Sequence, residues 1–448
     1  MMFPPHKCNA ADLHLRHKKP GSQAQVKQPA CHSMPITGAD SSIRKLAFNW
    51  LGALLSTIVF LALATCTTRG EVQIPEFTSF DSFIDTLQAI AGSGKRTEVN
   101  AFWNSLVANE QVPFVRGDRV AFLYQGKAQS VSWVGDFTEW QKGPALPGRR
   151  VGQSDIWVAY ATFPSNARLE YRIVVDGQAG VPDPANPLQQ WGGFGPHSVL
   201  AMPDYVFPQE VVPRDDVTPG SLSPPLAIDS THLGYTINYR VYTPVRYEEL
   251  AALPVIYVTD GHEYTDPRMG SMPTILDNLI ADGTIEPILA VFVDPRDPET
   301  GRNRREGEFL GNPAYSAFLA EELVPTIDSS YTTDPTPDRR AILGVSYGGV
   351  NAAYCGLTYA EVFHLVAMQS PAFVNHEIYE SYQSVDRLPL KIFLSTGYPW
   401  DFDARTMKGI LEDKNYPLMY VEVPEGHSWG QWRSQLDDLL VYFLNPDR

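Results

Sequence analysis

Cysteine is nearly missing from this 448-residue chain: only Cys8, Cys31, Cys66 and Cys355 occur. Their spacing makes neither a disulfide framework nor a Cys-x-x-Cys metal or redox pair. Cys355 lies in a helix-compatible stretch and reads as a small core residue. Basic residues are also in deficit, with 35 Lys and Arg against 51 Asp and Glu and a formal charge of −16. Residues 1–69 hold 8 Lys/Arg and 2 Asp/Glu, so residues 70–448 carry −22. So acidic a body disfavours nucleic acid and anionic membrane surfaces as partners, and no nucleic-acid partner is expected. It also disfavours strongly anionic substrates. No internal repeat is visible.

The apolar stretch Leu46 to Thr65 follows Arg44 and Lys45, the charged flank and apolar run of an export signal. Ala62-Leu63-Ala64 fits a cleavage site, while Leu63-Ala64-Thr65-Cys66 approaches a lipoprotein box, which leaves a lipid anchor at Cys66 open. A retained membrane anchor is the third option. The expectation is export to the periplasm or beyond, with residues 1–69 as leader and signal, or with Met34 as the working start.

Past a linker at 71–79, residues 80–110 show helical spacing (Phe83, Leu87, Ile90; Val99, Phe102, Trp103, Leu106). From 113 to 208 the period shortens. Val120–Tyr124, Val131–Val134, Ile156–Tyr160 and Glu170–Val175 read as strands, with Asp176-Gly177 as a turn, and so many short strands predict a β-sandwich. Aromatic residues inside such strands face inward, so Trp133, Trp140 and Trp157 read as core, with stacking on sugar rings as the rival role. After a proline-rich joint at 208–225, strands and helices alternate through 225–448, which predicts a mainly parallel, doubly wound α/β sheet.

Within that alternation, Ala341-Ile342-Leu343-Gly344-Val345-Ser346-Tyr347-Gly348-Gly349 carries an apolar strand into a glycine-flanked serine and then a helix. This is the G-x-S-x-G nucleophile elbow, in which a tight turn holds the serine hydroxyl out at the end of the sheet. The order serine, acid, histidine then limits the base to His364, His376 or His427. His427 follows the strand-like Leu418–Val423, where loops at strand carboxyl ends hold active groups. His364 reads as structural and His376 as a solvated loop residue. The acid belongs to the loop after Leu390–Thr396, where Asp401 is nearer the strand end and Asp403 sits at a helix N-cap position. Asp401 is the first choice and Asp403 the second. An oxyanion hole needs the Tyr347 amide and a second amide from the loop after Pro254–Thr259, at Gly261 or His262. His262 lacks a nearby partner for a metal site, and no metal or organic cofactor is implied.

Together with Val258-Thr259-Asp260-Gly261, Arg305-Glu306-Gly307-Glu308-Phe309, Glu321–Pro325 and Glu425-Gly426-His427-Ser428-Trp429, the elbow makes residues 225–448 resemble the esterase family of enterochelin esterases, feruloyl esterases and mycolyltransferase relatives. Trp133–Trp140, Tyr171, Asp176-Gly177 and Asp183–Pro187 are similar to the early-set sandwich found ahead of such esterases and in glycogen-binding modules. The resemblance implies an α/β-hydrolase domain with Ser346, Asp401 and His427 as triad. It also implies an Arg305–Glu308 pair that pins the loop from Asp294 to Asn312 beside the pocket, with a surface ion pair as the plainer reading. Trp400 and Trp429 are candidate substrate contacts, and Arg302, Arg304 and Arg305 candidate cationic ones. The expected activity is hydrolysis of a carboxylic ester through an acyl-enzyme, on an aromatic or carbohydrate-linked ester of feruloyl or acetyl type. The alternatives are a siderophore trilactone, acyl transfer, or carbohydrate binding by a degenerate hydrolase. The expected partner is a small-molecule or polysaccharide-linked ester, and the sequence is neutral on oligomeric state.

Overall fold

The computed structural model describes residues 77–445 apart from Gln141, Asn375 and His376. The expected export signal, its cleavage site, Cys66 and the candidate base His376 lie outside the described residues.

Helices Phe80–Gly92 and Arg96–Ala108 come first, the former opened by a reciprocal Ser79–Ser82 cap. Their apolar stripe (Phe83, Leu87, Val99, Phe102, Leu106) is buried against Phe114, Ala121, Leu123, Ile156 and Val158. Period-3.6 spacing thus lays one helix face on one sheet. That sheet has four antiparallel strands, Phe114–Arg116, Arg119–Gln125, Ile156–Thr162 and Arg149–Arg150. A second antiparallel sheet of five strands includes Val131–Gly135, Arg168–Val175 and Gly195–Ala201. Val120, Phe122, Trp157 and Ala159 of the first sheet share a core with Val131, Trp133, Leu169, Tyr171 and Ile173 of the second. Trp133 and Trp157 are therefore core residues. Asp176 and Gly177 both have positive φ (50° and 69°), the backbone that a tight two-residue turn requires.

The carboxyl-terminal sheet is mixed. Thr236–Thr243 pairs antiparallel with Ser221–Leu222, Leu226–Asp229 and Leu289–Asp294. Beyond it run six parallel strands in the order Leu289–Asp294, Val255–Val258, Arg340–Val345, Leu365–Gln369, Lys391–Gly397 and Leu418–Val423. The inner strands 255–258, 340–345 and 365–369 are buried along their whole length. Helices cover both faces, which explains why these strands read as continuous apolar runs rather than alternating ones.

Strand 255–258 passes first to 289–294 on one side and then, via 313–330, to 340–345 on the other. The topological switch point therefore lies between 255–258 and 340–345, where the carboxyl ends of parallel strands leave a crevice. The helical stretch after Asn312 divides into Pro313–Ala317, a π-helical turn Phe318–Leu323 and Val324–Ser330. Pro325 is the physical reason: without an N–H it cannot close the regular ladder, and the preceding turn widens. Short helices at Gly261–Tyr264 and Arg305–Phe309 and the eight-residue Glu377–Ser384 carried too little periodicity to be read from sequence.

A Cβ on Gly344 would overlap the backbone of Gly348 one turn into the next helix. Gly344→Ala is expected to destabilise the protein by about 1–3 kcal/mol, as overpacking does. Urea unfolding followed by circular dichroism checks this, through a lower midpoint at unchanged slope.

Candidate active site

Ser346 stands between strand 340–345 and helix Tyr347–Thr358 with φ 57° and ψ −118°, a conformation that non-glycine residues avoid. The surroundings over-determine it. Ser346 N donates to the Gln369 carbonyl at 2.9 Å, and the Ser346 carbonyl accepts from Ala372 N at 3.1 Å. A Cβ on Gly348 would come within 2.5 Å of Thr259 Oγ1, and one on Gly349 within 3.1 Å of Pro371. Glycine is needed there for close approach rather than for positive φ. The serine is largely buried at 8 % exposure, and Tyr347 begins the helix, where a first-turn amide has no helical acceptor.

Asp401 and His427 lie on the loops after 391–397 and 418–423, at the same carboxyl edge. His427 Nδ1 is 2.6 Å from Asp401 Oδ1, and the carboxylate is fully buried. Phe402 N (2.6 Å) and Gly397 N (3.1 Å) also donate to Asp401. The imidazole is flanked edge-on by Phe402 and Trp432 at centroid distances of 5.0 and 4.8 Å. With Nδ1 facing the carboxylate, Nε2 is left for other partners. Asp403 instead accepts the Arg405 amide at 2.9 Å, the helix-start role that its position indicated. His364 Nδ1 lies 2.7 Å from Asp338 Oδ1, on the turn that enters the preceding strand.

Two residues that sequence reasoning missed tie the serine and histidine sides together. Gln369 is fully buried. It accepts from the Tyr264 hydroxyl at 2.9 Å and donates to the Trp432 carbonyl at 2.8 Å. Gln431, also fully buried, has its amide nitrogen 3.1 Å from Asp401 Oδ2 and 2.8 Å from the Gly426 carbonyl when oriented to satisfy its neighbours. A buried glutamine inside an apolar strand or helix was the only available signal.

Across the switch point, Asp260 (φ 54°) turns the chain into helix 261–264. Gly261 has no room for a Cβ, which would overlap the Phe292 backbone, so the loop runs close against strand 289–294. Arg305 does not pair with Glu308. Its guanidinium instead grips Asp260 through Nε to Oδ1 (3.0 Å) and Nη2 to Oδ2 (2.8 Å), and it lies 5.2 Å from the Tyr347 ring centroid. The bidentate fork suits a carboxylate buried beside the elbow, whereas Glu308 points the other way, accepting from Tyr235 at 2.9 Å. Arg304 is likewise paired with Asp297 and covers the Tyr235 ring. His262 lies within 3.5 Å of Asp294 and 3.6 Å of Glu263, and burial holds its pKa below the usual imidazole value. Among the described residues no group of three or more His, Cys, Asp or Glu is arranged to hold a metal ion.

The two candidate tryptophans are occupied elsewhere. Trp400, half-buried, packs edge-on against Phe163 at 5.8 Å, on the outside of the core between the antiparallel sheets. Trp429 is 2 % exposed, donates Nε1 to Glu263 at 2.8 Å, and abuts Tyr264 and Trp432. Both belong to packing because burying a large ring is worth more than presenting it to water.

Residues 230–443 match the sequence profile of the family described as "Putative esterase". The chain is 28% identical over 228 residues to the uncharacterized protein YjcH of Bacillus subtilis (48% of this chain, 94% of that protein). It is 30% identical over 160 residues to the endo-1,4-beta-xylanase/feruloyl esterase of Xylanibacter ruminicola (34% and 21%). It is also 30% identical over 200 residues to the iron(III) enterobactin esterase of Dickeya dadantii (43% and 43%). The match thus spans less than half the length of each of the two relatives with named activities. The crystal structure of the enterobactin esterase FES from Shigella flexneri shares the fold, with TM-score 0.60 at 20% identity over 74% of this chain and 94% of that one.

Glu308 is 1 % exposed with Oε2 unpartnered, and burial pushes its carboxyl up to about 7. A folded-state pKa above the unfolded value means the stability it contributes is complete below about 4.5 and lost as pH rises through about 7. Glu308→Gln should therefore gain thermal stability relative to the wild type as pH goes from 5 to 8, by about 2–4 °C. Paired scanning-fluorimetry melts across that range check it.

Proposed function

We propose, from the premise that the carboxyl-terminal domain at residues 230–443 belongs to this esterase family, that the chain hydrolyses carboxylic esters by a serine mechanism. The observation that carries the reading is the strained, glycine-walled Ser346 on the same sheet edge as a histidine whose Nδ1 meets a buried aspartate at 2.6 Å. His427 takes the Ser346 proton through Nε2 as the hydroxyl attacks the ester carbonyl. Asp401 holds the ring orientation and stabilises the imidazolium. The Tyr347 amide and an amide of Gly261 or His262 hold the oxyanion. The alcohol leaves with the proton from His427, and water then releases the acyl group by the same route in reverse.

The substrate we favour is a neutral aromatic or carbohydrate-linked ester. The cations nearest the elbow are already matched, Arg305 by Asp260 and Arg296 by Asp294, inside a chain of charge −16. Phe402, 39 % exposed beside His427, offers an aromatic wall. The feruloyl esterase relative is consistent with this choice. A siderophore trilactone is the second reading, favoured by the 30% identity to an iron(III) enterobactin esterase. We read the two facing antiparallel sheets as an early-set sandwich, and Leu46–Thr65 as an export signal.

Ser346→Ala should abolish turnover in a panel of p-nitrophenyl acetate, p-nitrophenyl butyrate, methyl ferulate, acetylated xylan and enterobactin. Equal turnover by wild type and variant on every ester removes the enzyme reading. Asp401→Asn should lower kcat by about 10⁴-fold, with Asp403→Asn near wild type; the reverse order would move the acid to Asp403. Mass spectrometry of the amino terminus after expression in a bacterial host tests export, with cleavage near Ala64 or lipidation of Cys66 expected.

A further inference from the structure

The loop that carries His427 is gripped from outside its own domain. Its span Glu425–Gly430 runs against the second antiparallel sheet, where Arg168 N donates to the Pro424 carbonyl at 3.3 Å and Arg168 forms a parallel bridge with Glu425. The Arg168 guanidinium donates to Ser428 Oγ at 3.2 Å, to Glu170 Oε1 at 3.3 Å and to Gln190 Oε1 at 3.4 Å, and lies 3.9 Å from Glu425 Oε2. Asp136 accepts from Glu170 N at 2.7 Å and Trp140 Nε1 at 2.9 Å, and its carboxylate sits directly on Gly426. Glu170 in turn meets His197 Nδ1 at 2.8 Å.

These groups are buried: the side chains of Arg168 and Glu170 are 4 % exposed and Asp136 is 3 % exposed. The fit is steric as well as ionic. A Cβ on Gly426 would overlap the Asp136 carboxylate, and a Cβ on Gly430 would overlap the Arg168 guanidinium. Neither glycine has positive φ, so an alanine there is opposed by space rather than by backbone. His427 thus lies between two glycines, each moulded onto a buried polar side chain of the sheet segment. Burying an arginine among carboxylates is costly and is tolerated when it fixes one arrangement. A sugar-binding module on a tether has no use for that cost.

We infer that the two-sheet segment is part of the catalytic apparatus, with Asp136 and Arg168 as positioning residues that fix the loop holding His427. This rests on the esterase reading for its kinetic consequence but not for the clamp itself. A displacement of the imidazole of about 1 Å can lower kcat on the order of 100-fold.

The test pairs size with space in the full chain. Gly426→Ala should accelerate hydrogen–deuterium exchange of peptides spanning 425–430 and lower kcat by about 10- to 100-fold with KM within about twofold. Asp136→Ala, which leaves Gly426 its room but removes the carboxylate, should likewise accelerate exchange over 425–430 and lower kcat at KM within about twofold. Arg168→Lys, which keeps the charge but not the fork, should lower kcat at unchanged KM, and it serves if Gly426→Ala does not fold. Unchanged exchange in Gly426→Ala or Asp136→Ala, or a wild-type kcat in folded Arg168→Lys, would each overturn the clamp. Exchange reads the clamp directly, whereas activity of the wild type against Ser346→Ala reads the esterase assignment, so the two failures are distinguishable.

Discussion

At the start of helix 347–358, the backbone of Ser346 is held at φ 57° by contacts that leave no slack. Gly344 and Gly348 nearly touch, Thr259 closes one side, and Pro371 stands against Gly349 on the other. A residue in that conformation is strained by roughly 1–3 kcal/mol and persists only because the neighbours fix it. The loops that carry Asp401 and His427 leave the same edge of the sheet as this residue. The strand that delivers it is the centre of the parallel sheet, and the strand beside it, 255–258, delivers the loop that faces it across the switch point.

The supports follow a common design. Each group that would move a proton or hold charge is itself held by buried polar partners. Asp401 receives two backbone amides and is reached by Gln431, and Gln369 joins the elbow strand to Trp432 below the imidazole. Arg305 fixes Asp260 and so the loop from which a second oxyanion donor would come. Low dielectric makes such networks strong when complete and costly when broken.

The antiparallel sheets fit the same logic. Phe122, Trp133, Trp157 and Tyr171 fill the core between them, whereas Trp140 is half-buried and Trp191 and Phe194 are exposed. The exception in polarity is the buried group around Asp136, Arg168, Glu170 and Glu425. Burial and the neighbouring Glu170 raise the pKa of Asp136, while Glu425 is pushed up to about 7. A cluster so expensive to bury is placed where it touches the His427 loop, which links packing between the two segments to the chemistry of one.

The local structure around the serine was legible in the chain itself. Gly344-x-Ser346-x-Gly348, the strand before it and the helix after it are encoded within a dozen residues, since tight turns and apolar periodicity are short-range properties. The places of Asp401 at a strand end and of Asp403 at a helix start were legible for the same reason. What the folded chain alone decided was pairing over long sequence distance. Arg305 chose Asp260, 45 residues away, over Glu308 in its own turn of helix. Trp429 turned inward, Trp400 packed against Phe163, and Arg168 reached Ser428 across 260 residues. No local pattern encodes such partners, because which buried charge meets which depends on how separate sheets dock, and that is settled by the packing of the whole.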